Sequence, residues 1–97
     1  MGIAQNRLRR KILLSLYEHF KDMPLSPLES GELSRACETT QKEINWNVAY
    51  LEMAGYVGLH KYSGGSGYAV AITATGIDLV EDGSALKKRF ALRRPKK

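Results

Sequence analysis

A mostly helical α+β domain is the fold class this sequence predicts: a three-helix core, a two-stranded hairpin and a C-terminal helix. Two observations carry that expectation. Apolar residues recur at helical spacing as far as Ala54 and at a spacing of two beyond Gly55. The gap between the second and third helical segments, Glu38 to Thr40, is too short for anything but a tight helix-turn-helix corner.

The first helix runs from Ala4 to Lys21. Leu13, Leu16, Tyr17 and Phe20 fall on one face, and Leu8 and Ile12 extend the stripe toward the start. Met23-Pro24 ends it, because a residue before proline is pushed out of the helical region. Ser26-Pro27-Leu28-Glu29 reads as the next helix start: serine as cap, proline in the first turn, glutamate closing a capping box. Leu33, Ala36 and Cys37 are its expected buried side. Thr40-Gln41-Lys42-Glu43 is a second capping box and opens the third helix, whose core stripe is Ile44, Val48 and Leu51. Gly55 ends that helix where a left-handed residue is wanted.

Beyond Gly55, Val57 and Leu59 alternate with Gly58 and His60, and Tyr68, Val70 and Ile72 alternate with Ala69 and Ala71. The stretch Ser63-Gly64-Gly65-Ser66-Gly67 joins them as a hairpin tip. It is no phosphate-binding loop, since it lacks the lysine and the following helix. Thr73 or Thr75 caps a last helix carrying Ile77, Leu79 and Val80. Gly83-Ser84 interrupts it, and Leu86, Phe90 and Leu92 continue in a further helical turn before Pro95. One domain is expected over residues 1–97, its core at about residues 4–82 and a basic C-terminal helix or tail at 83–97.

With 43% hydrophobic and 26% charged residues the composition is that of an ordinary globular protein. No apolar run approaches the roughly 18 residues of a membrane span. Met1 to Arg10 lacks the order of a signal peptide, so a cytoplasmic location is expected. Cys37 has no second cysteine for a disulfide or a shared metal, and His19 and His60 stand without companions at any recognised spacing. Neither catalysis, nor a metal, nor a cofactor is expected.

The net charge of +5 is unevenly spread. Eleven of the fifteen basic residues crowd the two ends, among them Arg7, Arg9, Arg10 and Lys11 at one and Lys87, Lys88 and Arg89 at the other. Between Ile12 and Leu86 only Lys21, Arg35, Lys42 and Lys61 face all ten acidic residues. The middle is therefore acidic, and attraction to phosphate must come largely from the ends. Cations near the C-terminus of a helix suit its dipole, whereas four at the start of the first helix oppose it and point to an external anion.

Three segments carry a family resemblance. Glu32-Leu33 opens an acidic-plus-leucine step in the second helix. Tyr50-Leu51-Glu52-Met53-Ala54-Gly55-Tyr56-Val57 is similar to the "leucine, glutamate, two residues, glycine, aromatic, valine" ending of a recognition helix. Ile72-Thr73-Ala74-Thr75-Gly76-Ile77-Asp78-Leu79-Val80 is similar to the "threonine, two residues, glycine" segment that follows a wing. Over Leu8 to Glu81 the chain thus resembles the winged helix-turn-helix superfamily of prokaryotic transcription regulators. One departure stands in the turn, where Glu38 and Thr39 replace the usual glycine and apolar residue. A left-handed glutamate costs about 1 kcal/mol, so a wider corner is expected.

The resemblance implies sequence-specific binding of double-stranded DNA, with the third helix in the major groove and the wing along the backbone. Carried onto this chain, the reading helix offers Thr40, Gln41, Lys42, Asn45, Trp46, Ala49 and Tyr50. The carboxamides of Gln41 and Asn45 suit a bidentate contact to adenine. The wing offers His60, Lys61, Tyr62 and Ser63, and phosphate contacts fall to Arg7, Arg10, Lys11 and Arg35. A homodimer is expected through Ile77, Val80, Leu86 and Phe90, because one small module seldom supplies enough specificity. The rival expectation is a protein-interaction adaptor. Trp46 points about 160° from the buried side of its helix at about 100° per residue, and aromatic residues are enriched in protein interfaces.

Overall fold

The computed structural model describes residues 3–62 and 67–92. The elements are α1 (Ile3–Asp22), β1 (Leu28–Glu29), α2 (Ser30–Ala36), α3 (Gln41–Met53), β2 (Val57–Lys61), β3 (Tyr68–Ile72), α4 (Ala74–Glu81) and α5 (Gly83–Arg89). Five helices thus surround a three-stranded antiparallel sheet in the order β1-β3-β2.

The α1 stripe is buried at Ile12, Leu13 and Leu16, while Phe20 remains 36% exposed at the far end. Against it pack Leu33 and Cys37 from α2 and Ile44, Val48 and Leu51 from α3. Ala36, the last residue of the seven-residue α2, is exposed, against expectation. The larger correction lies just before it. Ser26-Pro27-Leu28-Glu29 does not start a helix: Leu28 and Glu29 pair with Val70 and Ala69 of β3 as a third strand. The helix starts at Ser30 with Glu29 in the cap position, and no side chain caps it. The Ser26 N–H that the expected capping box would serve bonds instead to the Met23 carbonyl oxygen at 3.1 Å.

Thr40 does cap α3, its hydroxyl accepting from the Glu43 N–H at 3.2 Å. Thr73 caps α4 in the same manner, accepting from Gly76 N–H at 3.1 Å. The hairpin register pairs Val57 with Ile72 and Lys61 with Tyr68.

Helices α2 and α3 end identically. Gly55 has φ of +88° and Glu38 has φ of +54°. After α3, the N–H groups of Gly55 and Tyr56 bond back to Glu52 and Leu51; after α2, those of Glu38 and Thr39 bond back to Arg35 and Ser34. Both patterns are Schellman closures. The expected wider corner is therefore not formed. Glu38 accepts the left-handed backbone, and the turn keeps its tight geometry.

The C-terminal segment corrects a second expectation. Asp82 separates α4 from α5 and caps the latter, accepting from Ala85 N–H at 3.1 Å. Leu86 is 6% exposed and Phe90 fully buried. Phe90 meets Tyr50 and Tyr56 edge-on, with ring centroids 6.5 and 6.1 Å apart. Asn6 Nδ2 and Arg10 Nε of α1 donate to the carbonyl oxygens of Ala91 and Phe90 at 2.9 and 2.8 Å. The core therefore runs past residue 82, and Leu86 and Phe90 face their own domain, not a dimer interface. Ile77 and Val80 are half-buried against the same core.

Replacing Glu38 by glycine removes the left-handed penalty. Glu38→Gly is expected to raise stability by about 1 kcal/mol and Tm by roughly 4–8 °C for a domain of this size. A calorimetric scan showing no rise would mean that the corner carries no strain.

Candidate nucleic-acid interface

The rotation of α3 decides which of its side chains can meet a ligand. Its inner face is Ile44, Val48, Leu51 and also Asn47, which is fully buried. Asn47 Nδ2 donates to Gln5 Oε1 and to the Glu43 carbonyl oxygen, both at 2.9 Å. Its Oδ1 accepts from Arg9 Nε at 2.9 Å. Arg9 is only 1% exposed, and its guanidinium lies 3.7 Å from the centre of the Tyr50 ring and 5.7 Å from that of Trp46. No carboxylate pairs with it among the described residues, and its Nη2 has no hydrogen-bond partner there. Burial pushes the guanidinium pKa down; Tyr50 opposes the shift and nearby Arg89 adds to it.

Two of the four cations at the start of α1 are thereby accounted for inside the protein. Arg9 is a packing residue. Arg10 Nε and Nη2 serve the Phe90 and Lys87 carbonyl oxygens at 2.8 and 3.5 Å, closing the end of α5. Arg10 is thus engaged in a helix end, contrary to its expected phosphate role. Arg7 and Lys11 are exposed and line a shallow hollow with Glu38, Thr39 and Glu43, at the corner before α3. Arg35 is exposed on α2.

The outer face of α3 carries Lys42, Trp46, Ala49 and Met53, all exposed, with Trp46 at 37% and Met53 at 81%. Gln41 and Asn45 lie on the flank toward the hairpin. Together with Glu29, Ser30, Gly31, Tyr62 and Tyr68 they line a cleft between α3 and the wing. Tyr68 of β3 donates its hydroxyl to Asn45 Oδ1 at 2.6 Å, and Gln41 Nε2 donates to the same oxygen at 2.8 Å. Tyr62 donates to Glu29 Oε2 at 3.3 Å, which places a carboxylate in the cleft and makes it unsuited to phosphate. Thr40 spends its hydroxyl on the helix cap. Tyr50 is half-buried and accepts from Arg89 Nη2 at 2.8 Å, so it belongs to the packing of α5. His60 faces a separate apolar groove with Phe20 and Leu25, on the opposite side from α3. Lys61 is exposed, and Ser63 lies outside the described residues.

Sequence reading missed Arg9 and Asn47, although spacing places both on buried stripes. Arg9 is three, four and seven residues before Ile12, Leu13 and Leu16, and Asn47 lies between Ile44 and Leu51. Among the described residues no group of three or more His, Cys, Asp or Glu is placed to hold a metal. No helix there is long and apolar enough to cross a membrane.

No protein-family model matches the chain, and no curated protein matches it. Solved structures do. A candidate DNA-binding protein of Ralstonia eutropha superposes with a TM-score of 0.70 at 15% identity, covering 77% of this chain and 91% of that one. MepR of S. aureus, in its DNA complex, gives 0.67 at 19% identity over 84% of this chain and 64% of its own. The chain has the winged helix-turn-helix fold. The transcriptional regulator Tm0710 of Thermotoga maritima gives 0.61 at 23% identity, covering 86% of this chain. The winged-helix chain spans about two thirds of MepR and 54% of Tm0710.

The Arg9–Asn47 arrangement yields a stability prediction. Asn47→Leu leaves a buried guanidinium without its acceptor and is expected to cost about 3 kcal/mol. Arg9→Met removes the charge along with the need for the acceptor and should cost clearly less. The double variant should recover most of the loss in urea unfolding. Equal costs for the two single variants would contradict the role given to Asn47.

Proposed function

We propose that this chain is a sequence-specific double-stranded DNA-binding module, a prokaryotic transcription regulator acting in the cytoplasm. The observation that carries the proposal is the free outer face of α3 beside the wing, in a fold shared with MepR in its DNA complex. In the proposed docking, α3 lies in the major groove, presents Gln41, Asn45 and Ala49 to base edges and sets Lys42 against a phosphate. Arg7 and Lys11 at the corner before α3, together with Arg35 and Lys61, supply phosphate contacts. These exposed cations offset the acidic middle of the chain, where Glu32, Glu38, Glu43 and Glu52 surround the helix-turn-helix. Homodimerisation belongs to the same reading, since two modules on adjoining half-sites multiply a modest specificity. Its surface is not that of Leu86 and Phe90.

A second reading, a protein-interaction adaptor, is favoured by one observation. Trp46 near the middle of α3 and Met53 at its end put apolar surface on the outward face. In the DNA reading the same atoms pack against base edges and thymine methyl groups.

Binding to mixed-sequence duplex separates the two. The DNA reading predicts measurable affinity at about 50 mM salt, falling steeply as salt rises and counterions are released. Lys42→Ala should weaken every sequence about equally and reduce the salt slope by about one. No binding at the low salt concentration contradicts the DNA reading.

A further inference from the structure

The hydrogen bonds of Asn45 fix what it can say to a base. Its carbonyl oxygen has two lone pairs, and both are used, by the Tyr68 hydroxyl at 2.6 Å and Gln41 Nε2 at 2.8 Å. Burial pushes the Tyr68 phenol pKa up, opposed by hydrogen bonds with Gln41 and Ser30, so the hydroxyl keeps its proton at neutral pH. Among the described residues the Asn45 amide nitrogen has no acceptor. A bidentate contact to adenine needs an asparagine that accepts from N6 and donates to N7. Asn45 in this arrangement has only the donor left, contrary to the bidentate contact expected from sequence.

A donor alone matches base-edge acceptors: thymine O4, guanine O6 and N7, or adenine N7, the last without the second hydrogen bond that makes adenine readout bidentate. The neighbour on the same helical face decides between them. Ala49, one turn further on and exposed, presents a methyl group beside the Asn45 amide. Thymine carries an acceptor and a C5-methyl group side by side, whereas neither guanine nor adenine offers a methyl. We propose that Tyr68, a positioning residue in the wing strand β3, holds Asn45 as a donor-only reader, so that the Asn45–Ala49 pair selects thymine over adenine. The proposal rests on the DNA reading above and adds a specificity rule and a coupling between wing and reading helix.

The test is selection of binding sites from a random duplex pool by the full chain, its Asn45→Ala variant and its Tyr68→Phe variant, with thermal unfolding of each. The wild-type protein is expected to enrich a site with a thymine whose preference Asn45→Ala relaxes. Tyr68→Phe frees Oδ1, and at that position the thymine-over-adenine ratio should fall by at least about fivefold. Replacing that thymine by uracil keeps O4 and removes the methyl. Wild-type affinity should then drop about fourfold, the worth of one buried methyl group, and this measurement needs no variant to fold. Absence of any enriched sequence overturns the DNA reading and the proposal together. Enrichment in which Asn45 governs an adenine or guanine, or in which uracil costs nothing, overturns the donor-only rule and leaves DNA binding standing. An unchanged preference in folded Tyr68→Phe removes Tyr68 from the positioning role.

Discussion

The rotation of α3 about its own axis is the constraint on which the rest of the molecule depends. Apolar burial of Ile44, Val48 and Leu51 against α1 sets it coarsely. The buried Asn47 sets it finely, because its carboxamide is held from both sides of the α1–α3 seam, by Gln5 and Arg9 on one helix and Glu43 on the other. A buried guanidinium without a carboxylate is costly, and here two compensations are visible. Asn47 supplies a neutral acceptor, and the Tyr50 ring face supplies a cation–π contact. Neither survives a turn of the helix by one residue, so the polar pair makes the helix position specific where greasy contacts alone would be tolerant.

From that rotation follows the division of the basic residues. The sequence concentrates cations at its two ends, yet Arg9 and Arg10 are absorbed by packing and helix closure, and Arg89 bonds to Tyr50 and Tyr56. Among the described residues, what remains exposed is a sparse set around the helix-turn-helix, interleaved with carboxylates, and Lys87 and Lys88 on α5. In the proposed docking such a surface gives modest non-specific attraction and leaves more of the discrimination to α3 side chains at the base edges. The wing is tied into the same side, since Tyr68 reaches from β3 to Asn45.

Much of this was legible in the sequence, where the signal was periodic. The α1 stripe, the Thr40 cap, the Gly55 terminus and the two strands of the hairpin all follow from local rules that tertiary contacts did not overrule. Leu28 and Glu29 were not legible as a strand, because two residues show no alternation and their state is decided by Val70 and Ala69, some forty residues away. Leu86 and Phe90 were legible as apolar but not as to what they cover. Only the carbonyl oxygens of Phe90 and Ala91, met by Arg10 and Asn6, show α5 folded back on α1. Of the candidate interface, spacing gave Gln41, Lys42, Asn45, Trp46 and Ala49 as exposed, whereas Tyr50, expected beside them, is half-buried. It did not give the hydrogen bonds that commit Asn45, since a partner on a neighbouring strand leaves no trace in helical periodicity.

The central claim is that the outward face of α3, with the corner before it, is where duplex DNA binds. An NMR titration of the nitrogen-labelled chain with duplex DNA tests it most directly. Binding on that face is expected to move the backbone signals of Gln41, Lys42 and Ala49 and the side-chain NH₂ signals of Asn45 together. Signals along the Phe20, Leu25 and His60 groove should stay in place. Shifts confined to that groove, or none at all at low salt, would contradict it.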